Sequence, residues 1–112
     1  MKMIEAVIKP FKLEEVKNAL SNVGVRGLTV FQVQGFGRQR GHKSQYRGSE
    51  YTVELVPKTM IQVVVSDSLA VPAQEAIARV ARTGELGDGK IFVYPLENVL
   101  KIRTGETGED AI

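Results

Sequence analysis

The residues best suited to binding an anion lie in RTGELGDGK, residues 82–90, where three glycines surround an aspartate and a lysine ends the run. Glycine permits positive φ and lets backbone N–H groups approach an oxyanion closely, and the lysine adds a point charge. Gly84, Gly87 and Gly89 therefore predict either a phosphate-binding loop or a turn that merely requires glycine. Asp88 could cap a turn, bind a ribose hydroxyl or bind a metal, and capping is the commonest of these roles.

The same segment matches a nucleotide-binding P-loop only in part, beginning at Gly84 with the spacing GxxxxGK. A P-loop needs serine or threonine after its lysine to hold Mg²⁺, and here Ile91 follows Lys90. A P-loop also joins a strand to a helix, whereas this segment is predicted to join a helix to a strand. The sequence therefore argues against a P-loop nucleoside triphosphatase and leaves anion binding by the glycine loop open.

A polar stretch, GFGRQRGHKSQYRGSEYTVE, begins at Gly35 and shows no helical period. Its basic side chains are Arg38, Arg40, Lys43 and Arg47. A loop of this length is uncommon in a small domain, so it is either a partner-binding loop anchored by its tyrosines or a disordered, solvated segment. His42 has no carboxylate or histidine at ligand spacing, and we expect it to be solvated rather than to bind a metal.

The hydrophobic pattern predicts the elements that position these two segments. Strands are predicted at residues 2–9, 28–34, 59–66 and 90–96, with a brief pairing at 51–55 and a short fifth strand at 99–103. Helices are predicted at residues 11–23 and at about 69–82, where apolar residues recur at spacings of three and four. We expect Asp67 or Ser68 to cap the second helix, Pro72 to lie in its first turn, and the tail from residue 104 to be loose.

The order β-α-β, long loop, β-α-β predicts one α+β domain over residues 1–112. Two such units favour a ferredoxin-like fold, with an antiparallel sheet, both helices on one face and the long loop between strands 2 and 3. The tetrapeptide Arg-Thr-Gly-Glu occurs at residues 82–85 and again at 103–106. The repetition is either chance or a way to present similar hydrogen-bond donors twice.

Composition narrows the class of protein further. Hydrophobic residues make up 43% of the chain, which supports a packed core, and there is no cysteine for a disulfide or a thiolate metal site. No secretory signal or membrane-spanning run is recognised, so a cytoplasmic location is expected. The net charge is only +2, so the clustered basic residues indicate a local anionic partner. No triad or pair of catalytic carboxylates stands out, and an enzyme is not expected.

Two motifs, YRGSEY at residues 46–51 and TGELGDGKIFVYPL at 83–96, resemble signature segments of the P-II nitrogen regulatory protein family. The opening IEAVIKPFKLEEVKNAL and the later IRTGE are also similar, so the resemblance covers nearly the whole chain. It implies a homotrimer of ferredoxin-like protomers that binds ATP or ADP and, with Mg²⁺-ATP, 2-oxoglutarate in the clefts between subunits. It also implies a flexible target-binding loop at about 37–55, a phosphate-binding loop at 82–90 and a C-terminal segment at 101–112.

The resemblance implies a nucleotide site with contributions from two chains. The phosphates would be bound by Gly87, Asp88, Gly89 and Lys90, and by Arg38 at the base of the long loop. Lys101 and Arg103 would come from the adjacent chain. The adenine and ribose side would contain Thr29, Gly35, Gln62, Val64 and Thr83. Because a triphosphate carries several negative charges, donors from two chains would offset them better than one lysine.

The resemblance also implies an effector site and two modification sites. Gln39 would coordinate the Mg²⁺ that the 2-oxo acid chelates, and Lys58 would pair with the distal carboxylate. Gly37, Arg40 and Gly41 would line the same site. Tyr51 matches a tyrosine that is uridylylated in many members, and Ser49 a serine that is phosphorylated in some. Ligand binding through Gln39 and Lys58 would then order the base of the long loop.

The chain departs from the family pattern at three places. Lys101 stands where arginine is common, which keeps the charge but loses the planar fork. Gln62 stands where glutamate is frequent, and the loop sequence RGHKSQ is more basic than usual. Targets are therefore expected only by class: an ammonium transporter, a glutamine synthetase regulator, a biosynthetic kinase or a transcription factor.

Two other functions compete with this reading. A basic ferredoxin-like domain with a pI of about 9.0 could bind nucleic acid, and Phe92 and Tyr94 could stack bases, although the RNP-like lysine-glycine-phenylalanine run is missing. A small enzyme that hydrolyses ATP slowly is the second alternative, but no residue is recognised that would position a water. The resemblance favours neither, and direct nucleic-acid binding is not expected.

Overall fold

The computed structural model describes residues 1–37 and 54–112, which form a four-stranded sheet and two α-helices. The strands are β1 (Lys2–Ile8), β2 (Thr29–Gly35), β3 (Val56–Val65) and β4 (Lys90–Pro95), and the helices are α1 (Leu13–Asn22) and α2 (Asp67–Ala81). The sheet order is β2-β3-β1-β4, and each neighbouring pair is antiparallel. The predicted ferredoxin-like α+β fold is confirmed.

The core lies between the two helices and one face of the sheet. Alternate residues of the two central strands face it, because successive side chains of a strand point to opposite faces. These core positions are Ile4, Ala6 and Ile8 on β1 and Ile61, Val63 and Val65 on β3. The helices contribute Val16 and Leu20 from α1 and Ala73, Ile77 and Ala81 from α2. The periodicity that predicted both helices therefore marks their buried faces correctly.

The opposite face of the sheet is not covered by any helix of the described residues. Its aromatic side chains are partly exposed, with Phe31 at 38%, Phe92 at 47% and Tyr94 at 39% of their full accessibility. Glu5 lies at the centre of this face, opposite Gln62 on one side and Phe92 on the other. A partly apolar sheet face left open in this way is a surface on which another chain can pack.

The second helix begins earlier than expected, and its predicted cap is wrong. Ser66 is the N-terminal cap residue, and none of its side-chain hydrogen bonds caps the helix. The Asp67 carboxylate instead accepts a hydrogen bond of 2.9 Å from the Met1 amino group and lies 3.6 Å from Lys2. Because the helix starts at Asp67, Pro72 lies in its second turn and not in its first. The strand before it, β3, also starts early, at Val56, while residues 51–53 lie outside the described residues.

The C-terminal region differs most from expectation. Residues 99–103 do not form a fifth strand, because in the part of the chain that the structure describes only Leu100 pairs with another segment, through a single bridge to Thr107. The tail is also not loose: Gly108–Ala111 forms a 3-10 turn and Ala111 is buried. Among the described residues, no helix has the length and apolar character needed to cross a membrane.

Candidate functional site

The glycine loop at residues 82–90 is closed by Asp88. Its carboxylate accepts hydrogen bonds from the Thr83 hydroxyl at 2.5 Å, the Thr83 N–H at 2.8 Å and the Gly84 N–H at 2.9 Å. The Lys9 ammonium lies 3.2 Å from the same carboxylate. The Thr83 hydroxyl, together with these N–H groups and Lys9, holds the pKa of Asp88 well below its usual range. Of the three roles considered for Asp88, the structure shows capping.

The glycines of this loop have conformations that other residues rarely adopt. Gly84, Gly87 and Gly89 have φ values of +89°, +94° and +96°. A Cβ atom on Gly89 would lie 1.7 Å from the backbone oxygen of Val7, so the loop packs directly against β1. At Gly89 the requirement for glycine is therefore both conformational and steric. A tightly packed turn and an anion-binding loop are compatible, because the same positive φ values leave the loop N–H groups without helical partners.

Lys58 joins β3 to the glycine loop. Its side chain is buried, with 8% accessibility for the residue, and Nζ donates a hydrogen bond of 2.7 Å to the Gly87 carbonyl oxygen. No carboxylate of the described residues lies within ion-pair distance of this ammonium. A buried ammonium has three donors and requires acceptors for them, so Lys58 marks a position where an anion would be favoured.

Lys90 extends this positive region along the edge of the sheet. It is the first residue of β4, lies opposite Val7 of β1 and is exposed. Within residues 1–37 and 54–112, neither Lys90 nor Lys58 has a carboxylate partner, whereas Lys9 is paired with Asp88. Two lysines beside the glycine loop thus keep their charge available to a bound anion.

A second cluster of expected site residues lines a groove of about 820 Å³. Thr29 and Gln62 face each other across the β2–β3 pair, and Val64 lies two residues further along β3. The groove is completed by the segment before β2, residues 24–28, and by the C-terminal residues 109–112. The structure therefore brings together three of the five residues expected on the adenine and ribose side.

The other two residues expected on that side lie elsewhere. Thr83 belongs to the glycine loop, and Gly35 pairs with Val56 at the opposite end of β3 from the groove. Val64 lies six positions beyond Lys58, which corresponds to about 20 Å along a strand. The phosphate-side and base-side residues of one chain consequently form two clusters at opposite ends of β3.

Lys101 and Arg103 lie in the C-terminal turn, and neither is among the residues that line the groove. Lys101 is 3.5 Å from the Glu106 carboxylate, and Arg103 has no ion pair among the residues that the structure describes. The turn reproduces the glycine loop locally: Thr104 Oγ1 accepts from the Glu106 N–H at 3.2 Å, as Thr83 Oγ1 does from the Glu85 N–H at 3.1 Å. The repeated tetrapeptide is therefore a repeated turn.

A polar cluster on the open sheet face was not expected from the sequence. Gln62 Nε2 donates a hydrogen bond of 2.6 Å to Glu5 Oε2, and the Tyr94 hydroxyl also bonds to this carboxylate. The bond from Gln62, and then that from Tyr94, lower the pKa of Glu5, and the carboxylate raises the pKa of Tyr94. The only signal in the sequence was a carboxylate in the middle of a predicted strand.

Several expected site residues lie outside the described residues. They are Arg38, Gln39, Arg40, Gly41, Ser49 and Tyr51, and His42 falls there as well. Gly37 is the last described residue before this gap and is exposed. In the described parts of the chain, no three His, Cys, Asp or Glu side chains form a group that could hold a metal ion.

Comparison with known proteins gives one consistent result. The family model described as Nitrogen regulatory protein P-II matches residues 1–106. Nitrogen regulatory protein P-II of Azospirillum brasilense is 61% identical over 112 residues, covering all of both chains. The proteins of the same name from Rhizobium meliloti and Rhodospirillum rubrum are 58% and 57% identical, again over the full length of both chains.

Proposed function

Because the chain belongs to the nitrogen regulatory protein P-II family, we propose that it reports cellular nitrogen, carbon and energy status by binding small-molecule effectors. It is a regulatory protein of nitrogen metabolism and not an enzyme. In the proposal, ATP or ADP binds in three clefts between subunits of a homotrimer in the cytoplasm. 2-Oxoglutarate binds together with Mg²⁺-ATP, and the long loop at about 37–55 carries the signal to target proteins.

The observation that carries this proposal is the buried Lys58 ammonium on the glycine loop. It touches Gly87 and has no carboxylate partner among the described residues. Lys90 lies beside the same loop, and Gly87 and Gly89 have the positive φ values that favour anion binding by backbone N–H groups. Polyphosphate is the anion best suited to this arrangement, because it needs several donors and several positive charges at once.

The separation of the two clusters supports sites shared between subunits. Thr29, Gln62 and Val64 line a groove at one end of β3, while Lys58 holds the glycine loop near the other end. In the proposed trimer, the groove of one chain faces the glycine loop of its neighbour, so base and phosphates contact different chains. The open aromatic face of the sheet supplies the apolar surface that such an assembly requires.

Lys58 is also suited to the proposed role in 2-oxoglutarate binding. Its ammonium has three donors, of which Gly87 uses one, so the distal carboxylate of a dicarboxylic acid could accept another. When bound, Mg²⁺ would link the 2-oxo acid to the triphosphate through oxygen ligands. An acid held by Lys58 would thereby be sensed by the same loop that binds the phosphates.

In the proposal, the bound effectors determine which target protein the sensor contacts. The expected targets are an ammonium transporter, a glutamine synthetase regulator, a biosynthetic kinase and a transcription factor, with membrane contact only through the transporter. Uridylylation of Tyr51 or phosphorylation of Ser49 would change the charge of the loop and so its fit to those targets. The family membership gives the nucleic-acid-binding alternative no support.

Calorimetry with the Lys90→Ala variant tests the phosphate site. We expect its ATP affinity to fall at least tenfold, because a charged hydrogen bond to phosphate contributes about 1.5–3 kcal/mol. Lys17→Ala is the matched control, since Lys17 is an exposed lysine on α1 that pairs only with Glu14 among the described residues. It should bind ATP as the unaltered chain does. Unchanged ATP affinity in a folded Lys90→Ala protein would refute the proposed phosphate site.

A second titration tests the effector site. 2-Oxoglutarate should bind measurably only when both Mg²⁺ and ATP are present, and Lys58→Ala should abolish that binding while the assembly stays trimeric by analytical ultracentrifugation. Equal binding without nucleotide would contradict the shared-metal arrangement.

A further inference from the structure

Gln62 and Glu5 form a hydrogen bond in which Gln62 is the donor. The two residues are directly opposite each other on β1 and β3, and Gln62 Nε2 lies 2.6 Å from Glu5 Oε2. Gln62 lines the groove of about 820 Å³, whereas Glu5 is not among its lining residues. Glu5 therefore stands behind Gln62 as seen from the groove and bonds to one end of its amide.

The chemistry of the two groups decides which end of the amide faces Glu5. An ionised carboxylate can only accept hydrogen bonds, so Gln62 must present its NH₂ group to Glu5. The bonds from Gln62 and Tyr94 lower the pKa of Glu5, which keeps it ionised at neutral pH. A free glutamine amide can rotate and present either a donor or an acceptor, but here the carbonyl oxygen is turned away from Glu5.

We propose that Glu5 is a positioning residue that holds the Gln62 carbonyl oxygen toward the bound base, so that the groove selects a purine with a 6-amino group. The proposal rests on nucleotide binding as proposed above. The 6-amino group of adenine donates a hydrogen bond to this oxygen. The 6-oxo group of hypoxanthine or guanine is an acceptor, and two acceptors facing each other leave both without a donor.

Titration of the assembled protein with ATP and with inosine triphosphate tests this assignment. The two ligands share the triphosphate and ribose and differ at position 6 of the purine, so their affinity ratio isolates the contact. We expect the unaltered chain to bind ATP at least tenfold more tightly. In Glu5→Gln the new amide can donate as well as accept, so Gln62 can turn over. The ATP preference should then fall at least fivefold, with a gain in inosine triphosphate affinity.

Three further variants separate positioning from general destabilisation. Gln62→Leu should lose the ATP preference, and Glu5→Gln should have no added effect on that background, because the two residues act as one unit. Tyr94→Phe keeps the Gln62 bond and should change the ratio less than twofold. Glu14→Gln makes the same chemical change on the exposed face of α1, where Glu14 pairs with Lys17, and should leave the ratio unchanged.

The possible failures are distinguishable. If Glu5→Gln lowers the affinity for both ligands equally, Glu5 has only a structural role and the assignment is overturned. If the unaltered chain binds the two triphosphates equally, or if Gln62→Leu keeps its preference for ATP, the assignment is also overturned while the proposed nucleotide site stands. If the unaltered chain binds neither triphosphate, the proposed function itself fails and the assignment fails with it.

Discussion

The tetrapeptide Arg-Thr-Gly-Glu forms the same turn at residues 82–85 and at residues 103–106, yet the two turns are held very differently. In each, the threonine hydroxyl accepts from the glutamate N–H and the glycine has a positive φ, +89° at Gly84 and +80° at Gly105. The first turn is fastened to other elements through Asp88, Lys9 and the Lys58 contact to Gly87. Every described side-chain contact of the second is to a nearby residue of the same segment.

The difference shows how one local conformation can serve two roles. The glycine loop is already formed within a single chain, because Lys9, which follows β1, and Lys58 of β3 hold it against the sheet. The C-terminal turn projects from the fold, with Ile102 96% exposed beside Arg103. An exposed apolar side chain next to an arginine that has no ion pair among the described residues is suited to completing a site on a neighbouring chain, as proposed for Lys101 and Arg103.

Replacing one glycine in each region should produce the largest difference between the two. In Gly89→Ala the new Cβ would lie 1.7 Å from the Val7 oxygen at a φ of +96°, so the loop must move off β1. We expect the free energy of unfolding to fall by about 3–5 kcal/mol, from steric overlap together with left-handed strain. In Gly105→Ala the backbone strain is of the same kind, but the new Cβ meets open space. Its free energy of unfolding should therefore fall by only about 1 kcal/mol.

Urea unfolding at one fixed protein concentration measures both glycine variants, since the stability of an oligomer depends on concentration. Equal losses in the two variants would mean that the contact with Val7 contributes nothing and that the two turns are anchored alike.

The next largest effect should come from the carboxylates that close the two turns. Asp88→Asn keeps the shape of the side chain but removes the charge that accepts from Thr83, Gly84 and Lys9, and should cost about 2 kcal/mol. Glu106→Gln removes an exposed pair with Lys101 and should leave the unfolding midpoint unchanged. A large loss in Glu106→Gln would show that the C-terminal turn is anchored more firmly than its contacts indicate.

The smallest effect is the dependence of stability on acid pH. The folded pKa of Asp88 is depressed, so its contribution is fully present above the pKa of the unfolded chain, about 3.9. That contribution is lost as pH falls below this value, because the proton binds the unfolded state more tightly. The free energy of unfolding, measured by chemical denaturation between pH 5 and pH 2.5, should therefore fall less steeply in Asp88→Asn than in the unaltered chain. Parallel pH profiles of the two proteins would contradict this.

Local patterns predicted the elements well where a strand or helix has one buried face. The alternation of β1 and the spacing of α2 are set by burial, and both were found close to their expected positions. The predicted fifth strand at residues 99–103 was wrong because strand-forming residues need a partner strand, and among the described residues only Leu100 forms a bridge. The early start of β3 was missed because Val56 is in the sheet through its pairing with Gly35, which no local pattern contains.

The candidate site was predictable as types of residue but not as contacts. The glycine spacing identified the loop, and the residue type made capping the commonest role for Asp88. Lys9 and Glu5 were missed because their partners, Thr83 and Gln62, lie 74 and 57 residues away in the chain. The contact of Lys58 with the glycine loop could likewise not be predicted from the sequence, although the resemblance implied a role for Lys58.

The sequence by itself determined which segments become strands, helices and glycine turns, because these depend on side-chain periodicity and on φ values that only glycine adopts readily. It also determined the family, through motifs spread along nearly the whole chain. Only the tertiary structure decided that the expected base and phosphate residues occupy opposite ends of β3, and that one copy of a repeated turn is anchored while the other projects. Those outcomes depend on strand register and on contacts between distant residues, which no local pattern contains.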